Sequence, residues 1–297
     1  MARRFRTYGE VDGSAGQEVL DQVVAQRRRL DERLSHVRWV VPVVSGKGGV
    51  GKSAITANLA TLLARRGRRV GVVDADLNGP SLARMLGTLE TPLMVGEDGI
   101  VPAIGAAGVR LVSMDLLLSA ADAPLRWKGP ANDSFLWRGA LETSTLREFL
   151  ADIAWGSLDY LFVDVPPGTD RIERVLELVP APGAVLLVTT PSAAAMHVVA
   201  KSARLLREAG VGQMGLVTNM SSYLCPCCGC AAELFQPRSR AGVQDIPGVE
   251  PWAEIPFDPA LGDATDGGRP PVLDTPDSPA VQAFERLASR LEERLGR

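Results

Sequence analysis

A run of β-branched residues, Val40 to Val44, passes through Ser45-Gly46-Lys47-Gly48-Gly49-Val50-Gly51-Lys52-Ser53 into a helix-forming stretch beginning Ala54-Ile55-Thr56-Ala57. No other feature constrains the fold as much, because a strand entering a helix through so many glycines leaves bare backbone N–H groups at the helix N-terminus. Such a loop turns those groups inward and the helix adds its partial positive charge, so the enclosed ligand is an anion. The spacing G-x-x-x-x-G-K-S is that of a triphosphate cradle. It predicts that Gly48, Gly49, Val50, Gly51, Lys52, Ser53 and Ala54 contact the phosphates of ATP, with Lys52 on the outer phosphates and the Ser53 hydroxyl on Mg2+.

Beyond the cradle, short apolar runs alternate with helical segments, so the chain reads as α/β with a doubly wound, mostly parallel sheet. Predicted strands are Val40 to Val44, Arg69 to Val73, Val109 to Ser113, Tyr160 to Val165, Ala184 to Thr189, Gly215 to Thr218 and a short one near Trp252 to Ile255. Predicted helices are Ser53 to Arg66, Leu141 to Ile153, Ser192 to Ala209 and Ser278 to Leu295, the first and third stopped by Gly67 and Gly210. Pro42 cannot donate to a ladder, so the regular part of the first strand is expected to start after it. Gly87 to Gly108 and Arg238 to Gly248 read as long loops. Residues 1–37 read as an arginine-rich arm with an amphipathic helix between Gln17 and Leu34, and residues 38–297 as the nucleotide-binding domain.

Composition narrows the partners. Thirty-two basic against thirty-five acidic residues, a net charge of -3, gives no electrostatic lure for nucleic acid. No stretch approaches the ~20 apolar residues of a membrane span, and the first residues lack the apolar core of a leader, so no membrane partner and a cytoplasmic location are expected. Two of the four lysines share the glycine loop, and all four cysteines, Cys225, Cys227, Cys228 and Cys230, fall within six residues. A disulfide framework spreads its cysteines more widely.

Two carboxylates are placed by strand ends. Val73-Asp74-Ala75-Asp76 brings Asp76 to the sheet edge where open α/β sheets bind ligands, near the γ-phosphate, where it can orient an attacking water. Asp164, closing Tyr160-Leu161-Phe162-Val163-Asp164, suits the outer shell of Mg2+. Transfer to water relies on such positioning and charge neutralisation, so no stronger nucleophile is required.

Ser45 to Ser53, with a second lysine directly after the first glycine, resembles the deviant Walker A loop of the ParA/MinD/Mrp ATPases. That resemblance implies a homodimer in which Lys47 reaches the phosphates held by the partner subunit, making Lys47, Lys52 and Asp76 the catalytic set. Asp74 to Ser81, Trp155 to Tyr160, Val165-Pro166-Pro167-Gly168-Thr169, Thr189-Thr190-Pro191 and Thr218-Asn219-Met220-Ser221 look like the Mrp/ApbC iron-sulfur carrier group. By that likeness Asn219 contacts the adenine. Cys225-Pro226-Cys227-Cys228 is similar to the group's C-P-x-C, which implies Cys225 and Cys228 from each of two chains around one 4Fe-4S cluster. The implied activity is slow, regulatory ATP hydrolysis coupled to passing the cluster to apo-proteins.

Two other readings stay open: a positioning ATPase of the ParA/MinD kind, which needs no thiols, and an ATPase whose Cys225 to Cys230 loop clips a zinc ion with Cys227 and Cys230 as further ligands. The chain also departs from the group. Asp170-Arg171 stands where the group has Gly-Asp after P-P-G-T, Ser192 replaces a glutamine, and His197-Val198 occupies a place where an aspartate is usual. Trp127 to Pro130 and Trp137 to Gly139 both resemble one W-R-G-P element. His36 and His197 have no partner pattern and take no part in this reading.

Overall fold

Alternation along the strands divides the core. In the computed structural model, which describes residues 13–117, 135–225, 228, 230–235 and 246–296, Val41, Val43, Tyr160, Phe162, Leu186 and Val188 face one apolar cluster. Their neighbours Val40, Val44, Leu161, Val163, Val185 and Leu187 face another. Successive side chains of a strand point to opposite faces, so these continuous apolar runs require helices on both sides.

The strands are β1 (Val37–Ser45), β2 (Val70–Asp74), β3 (Met94–Gly96), β4 (Gly99–Val101), β5 (Ala103–Ile104), β6 (Arg110–Val112), β7 (Leu158–Asp164), β8 (Val185–Thr189), β9 (Met214–Leu224), β10 (Ala231–Ala232) and β11 (Glu250–Phe257). The helices are α1 (Gly13–Ser35), α2 (Lys52–Arg65), α3 (Leu82–Met85), α4 (Phe135–Ala151), α5 (Thr169–Leu178), α6 (Ala193–Glu208), α7 (Pro259–Asp266) and α8 (Pro279–Leu295). Among the described residues the main sheet has nine strands, in the order β10-β9-β8-β1-β7-β2-β6-β5, with β11 also against β9. Its pairings are parallel except at β5 and β10. Helices α2 and α8 cover one face, and α1, α4, α5 and α6 the other.

Pro42 corrects one expectation: it lies inside β1, in register with Val163 of β7. The Val40 carbonyl accepts from Gly183 N–H on the β8 side, so the missing donor of Pro42, two residues on, faces the same side. Registered pairing with β8 begins only at Val43, and no ladder bond is lost. The Gly87 to Gly108 segment is not all loop either, since β3 and β4 form an antiparallel hairpin and β5 pairs antiparallel with β6.

Helix α5, absent from the sequence reading, begins directly after Pro166-Pro167-Gly168 and buries only Ile172, Val175 and Leu178, a stripe too short to announce itself. In α1 the apolar stripe is partial. Leu30 is buried and Leu34 packs against the core, whereas Val24 is exposed. Arg33 ties the helix down by donating to the carbonyls of Asp98 and Ala151. Glu292 of α8 is buried and points inward, where it pairs with Arg66 and Arg68. Trp127 to Pro130 lie outside the described residues; Trp137 to Gly139 fall in the first turns of α4.

Candidate nucleotide and thiol site

β1, β7 and β2 end side by side in Ser45, Asp164 and Asp74, with Asp164 in register with both Val43 and Asp74. The loop that follows β1 turns into α2, whose first residue is Lys52. Gly49 and Gly51 sit at φ +77° and +83°, backbone that an L side chain rarely adopts. At Gly51 an added Cβ would also lie 2.2 Å from Asn219 Nδ2. Gly48 to Ala54, with Ser45, Asp76, Ser81, Met85 and Pro167, line a cavity of about 260 Å³. Every residue predicted to touch the phosphates is in that lining. Lys47 is exposed and outside it.

Asp164 is fully buried and made tolerable by its partners. Lys52 Nζ lies 2.8 Å from its Oδ2, Ser53 Oγ donates to the same oxygen at 2.6 Å, and Thr56 Oγ1 donates to Oδ1 at 2.9 Å. A buried carboxylate survives only when paired and hydrogen-bonded in this way. A hydroxyl and a carboxylate oxygen side by side are the hard donors that suit Mg2+. Thr56 was missed by the sequence reading, although its place three residues after Ser53 on the same helix face was a usable signal.

The two carboxylates of the Asp74-Ala75-Asp76 run divide their work. Asp74 accepts from the N–H groups of Ser81 (3.0 Å), Leu82 (3.1 Å) and Asp76 (3.2 Å) and from Ser113 Oγ (3.3 Å). Its pKa is pushed up to about 7, first by burial and then by the charge of Asp164, against the pull of those N–H groups and of Lys52. Asp74 thereby organises the loop after β2. Asp76, half-buried, lines the cavity and accepts from Gly79 N–H at 3.2 Å.

Behind Asp76 is a charge cluster that the sequence did not reveal. Glu142 of α4, 6% exposed, accepts from Asn78 Nδ2 at 2.8 Å, pairs with Arg174 Nη1 at 3.2 Å and is in contact with the Arg171 guanidinium. Burial, with the neighbouring Arg174 cation, lowers the Arg171 pKa, while Asp76 opposes that shift. Arg171 and Arg174 also pair with Asp170. The two residues that replace the usual Gly-Asp after Thr169 are thus absorbed into a network linking α5 and α4 to the Asp76 segment. Val198 has a definite place as well: a Cβ on Gly46 would meet its Cγ1 at 2.5 Å, so α6 packs against the start of the loop there.

Asn219 braces the loop. Its Nδ2 donates to the Val50 carbonyl at 2.9 Å, and it is not among the residues lining the cavity. The strand that carries it, β9, runs on to Leu224, and β10 pairs back against its end antiparallel. The predicted strand stopped at Thr218 because Asn219 to Ser222 are weak strand formers; pairing with β11 through Tyr223 carries it further. Cys225 is half-buried, Cys228 and Cys230 are exposed, and none of the three is in a disulfide. Cys225 N–H donates to the Cys230 carbonyl at 3.0 Å. Cys227 lies outside the described residues. Among the described residues, no group of three or more His, Cys, Asp or Glu side chains gathers as a metal cage, and no helix is long and apolar enough to cross a membrane.

Known proteins resemble this chain in sequence and fold. Residues 36–136 and 131–292 match the ParA family in the form described as NUBPL iron-transfer P-loop NTPase. The iron-sulfur cluster carrier protein of Saccharolobus solfataricus is 37% identical over 92% of this chain and 90% of its own length. The cytosolic Fe-S cluster assembly factor NUBP2 of Bos taurus is 37% identical over 87% of this chain and 93% of its own. Among solved structures, an ADP-bound nucleotide-binding protein of Archaeoglobus fulgidus superposes with a TM-score of 0.67 at 32% identity, covering 82% of this chain and 91% of that one. The cell division ATPase MinD of Pyrococcus furiosus gives 0.59 at 26% identity, over 86% and 98%. With this loop, these strand-end carboxylates and matches of that extent, the chain belongs to the ParA family of P-loop NTPases, in its NUBPL-type iron-transfer group.

Proposed function

We propose that this protein is a cytoplasmic, homodimeric, Mg-ATP-dependent carrier that holds a 4Fe-4S cluster between Cys225 and Cys228 of both chains and passes it to apo-proteins. The observation that carries the reading is the course of β9: the strand whose Asn219 braces the phosphate loop at Val50 ends in the hairpin that presents the thiols. A shift in the loop on nucleotide binding therefore pulls on the base of the thiol hairpin. The names borne by the Saccharolobus and bovine relatives support the same cargo.

In this reading the loop N–H groups and Lys52 hold the triphosphate, and Ser53 with Asp164 holds Mg2+. Asp76 orients the attacking water, and Lys47, exposed beside the cradle, serves the partner's phosphates. Hydrolysis is slow and regulatory. Two thiolates per chain leave a cubane half-coordinated, so the cluster itself requires the second chain. Asn219, although it braces the loop, is assigned to the adenine side of the nucleotide. Anaerobic reconstitution with iron and sulfide tests the cargo: wild type should take up both, and Cys225→Ala and Cys228→Ala should not. Equal iron and sulfide in all three rejects the cysteine assignment, and zinc without acid-labile sulfide replaces the cluster with a zinc clip.

A further inference from the structure

The register of the β9–β10 hairpin pairs Leu224 with Ala231 and Tyr223 with Ala232. One step further it sets Cys225 opposite Cys230, and the Cys225 N–H to Cys230 carbonyl bond of 3.0 Å shows that the pairing reaches that step. Residues directly opposite in an antiparallel pair project their side chains from the same face. A hydrogen-bonded pair has its Cα atoms about 5.5 Å apart, inside the roughly 4.4–6.8 Å that a disulfide spans, but its Cβ atoms stand at about 5.5 Å, wider than the roughly 3.5–4.5 Å of a closed bridge. The base of the hairpin is held by the Tyr223–Phe257 ring contact, centroids 6.2 Å apart, and by the pairing of β11 with β9. The neck therefore keeps the two thiols facing each other, and closing the bond requires the two strands to draw together by about 1 Å there, in a hairpin held by only two registered pairs and one further bond.

We propose that Cys225 and Cys230 form a cross-strand disulfide when the protein meets hydrogen peroxide, and that this modification switches off the thiol site. Cys230 is exposed and Cys225 half-buried, so the Cys230 thiolate attacks the peroxide first. Its sulfur takes up one oxygen as a sulfenic acid, and the O–O bond breaks with release of water. The Cys225 thiolate then displaces that oxygen as a second water, closing the S–S bond. Two thiols are oxidised and one peroxide is reduced to two waters. A dithiol reductant reverses the step by exchange. The consequence for cargo rests on the carrier reading above, because Cys225 is there a cluster ligand; the disulfide itself does not.

The test uses the full-length protein, anaerobic and cluster-free, treated with one equivalent of hydrogen peroxide. In the Cys227→Ser/Cys228→Ser variant, which keeps Cys225 and Cys230, both thiols should vanish into a monomeric species lighter by two hydrogens. This should occur about tenfold faster than in Cys227→Ser/Cys230→Ser, which keeps Cys225 and Cys228. Equal rates in the two variants, stable sulfenic acid or intermolecular cross-links in the first would overturn the proposal. A second arm measures iron and sulfide uptake. Peroxide-treated wild type should load nothing until a dithiol restores it, whereas Cys230→Ser should load to the same extent before and after peroxide. Peroxide inhibition undiminished in Cys230→Ser also overturns the switch. Failure of the reduced wild type to load removes the carrier reading and leaves the disulfide to be judged on the first arm alone.

Discussion

The phosphate loop and the cysteine hairpin, joined by β9, are built on opposite principles. At the loop, carboxyl groups are buried and each is held by several partners: Asp164 is met by Lys52, Ser53 and Thr56, and Asp74 by three N–H groups and a hydroxyl. At the hairpin, two of the three described thiols are exposed and the backbone is held by two registered pairs and one further bond. A site that must fix a phosphate geometry is over-determined. In the proposed carrier, the site that gives its cargo away is left accessible, in a part of the molecule with few bonds to break. The difference teaches that preorganisation is spent where charge has to be stabilised and withheld where exchange is needed.

Removing one thiol tests the separation most severely. Cys228→Ser should abolish retention of iron and sulfide while leaving the ATP dissociation constant within about twofold of wild type, as measured by calorimetry. A large loss of ATP affinity would mean that the two regions are one cooperative unit.

The next effect lies on the buried side. Asp74 has its pKa raised from 3.8 to about 7, so the folded state holds a proton that the unfolded state releases. Its favourable contribution is complete below pH 4 and is lost as pH rises toward 7. Without nucleotide or Mg2+, the unfolding free energy of wild type relative to Asp74→Asn should fall by up to about 4 kcal/mol between pH 4 and pH 8 in denaturant titrations. A flat difference would remove the buried carboxyl from the account.

Lys52→Ala leaves Asp164 buried without its cation and takes a charge from the triphosphate. ATP should bind about 100-fold more weakly, with reconstituted iron and sulfide unchanged. A parallel fall in cluster content would blur the contrast. The smallest expected effect sits on the shared strand: Asn219→Ala, which loses the bond to Val50, should weaken ATP binding about fivefold, the value of one hydrogen bond. It should also abolish any change in cluster release on adding ATP. Nucleotide-dependent release that persists in this variant would route the coupling elsewhere, with the Glu142, Arg171 and Arg174 cluster the next place to probe.

What could be read in advance follows the range of the interactions. The strand runs through Val41, Phe162 and Leu187, the glycine loop, and Asp164 at a strand end were legible because each is written in consecutive residues. Thr56 was one helical turn away from a recognised residue and still missed. Glu142, Arg171 and Arg174 were not legible at all, since Glu142 meets its partners across thirty-two residues or fewer in one direction and sixty-four in the other. Pro42 was read by a rule that holds for strands paired along both edges, and the rule failed because pairing with β8 begins one residue later.

By itself, the sequence determined the layers of the fold, the anion-binding loop and its cation, and the clustering of the thiols, because these depend on side-chain periodicity and on spacing within one segment. Only the tertiary structure decided which carboxylate is buried beside Lys52, that Asn219 reaches Val50, and that Cys230 stands across from Cys225. Those outcomes depend on strand order and register, which are set by the packing of whole layers and by no single stretch of chain.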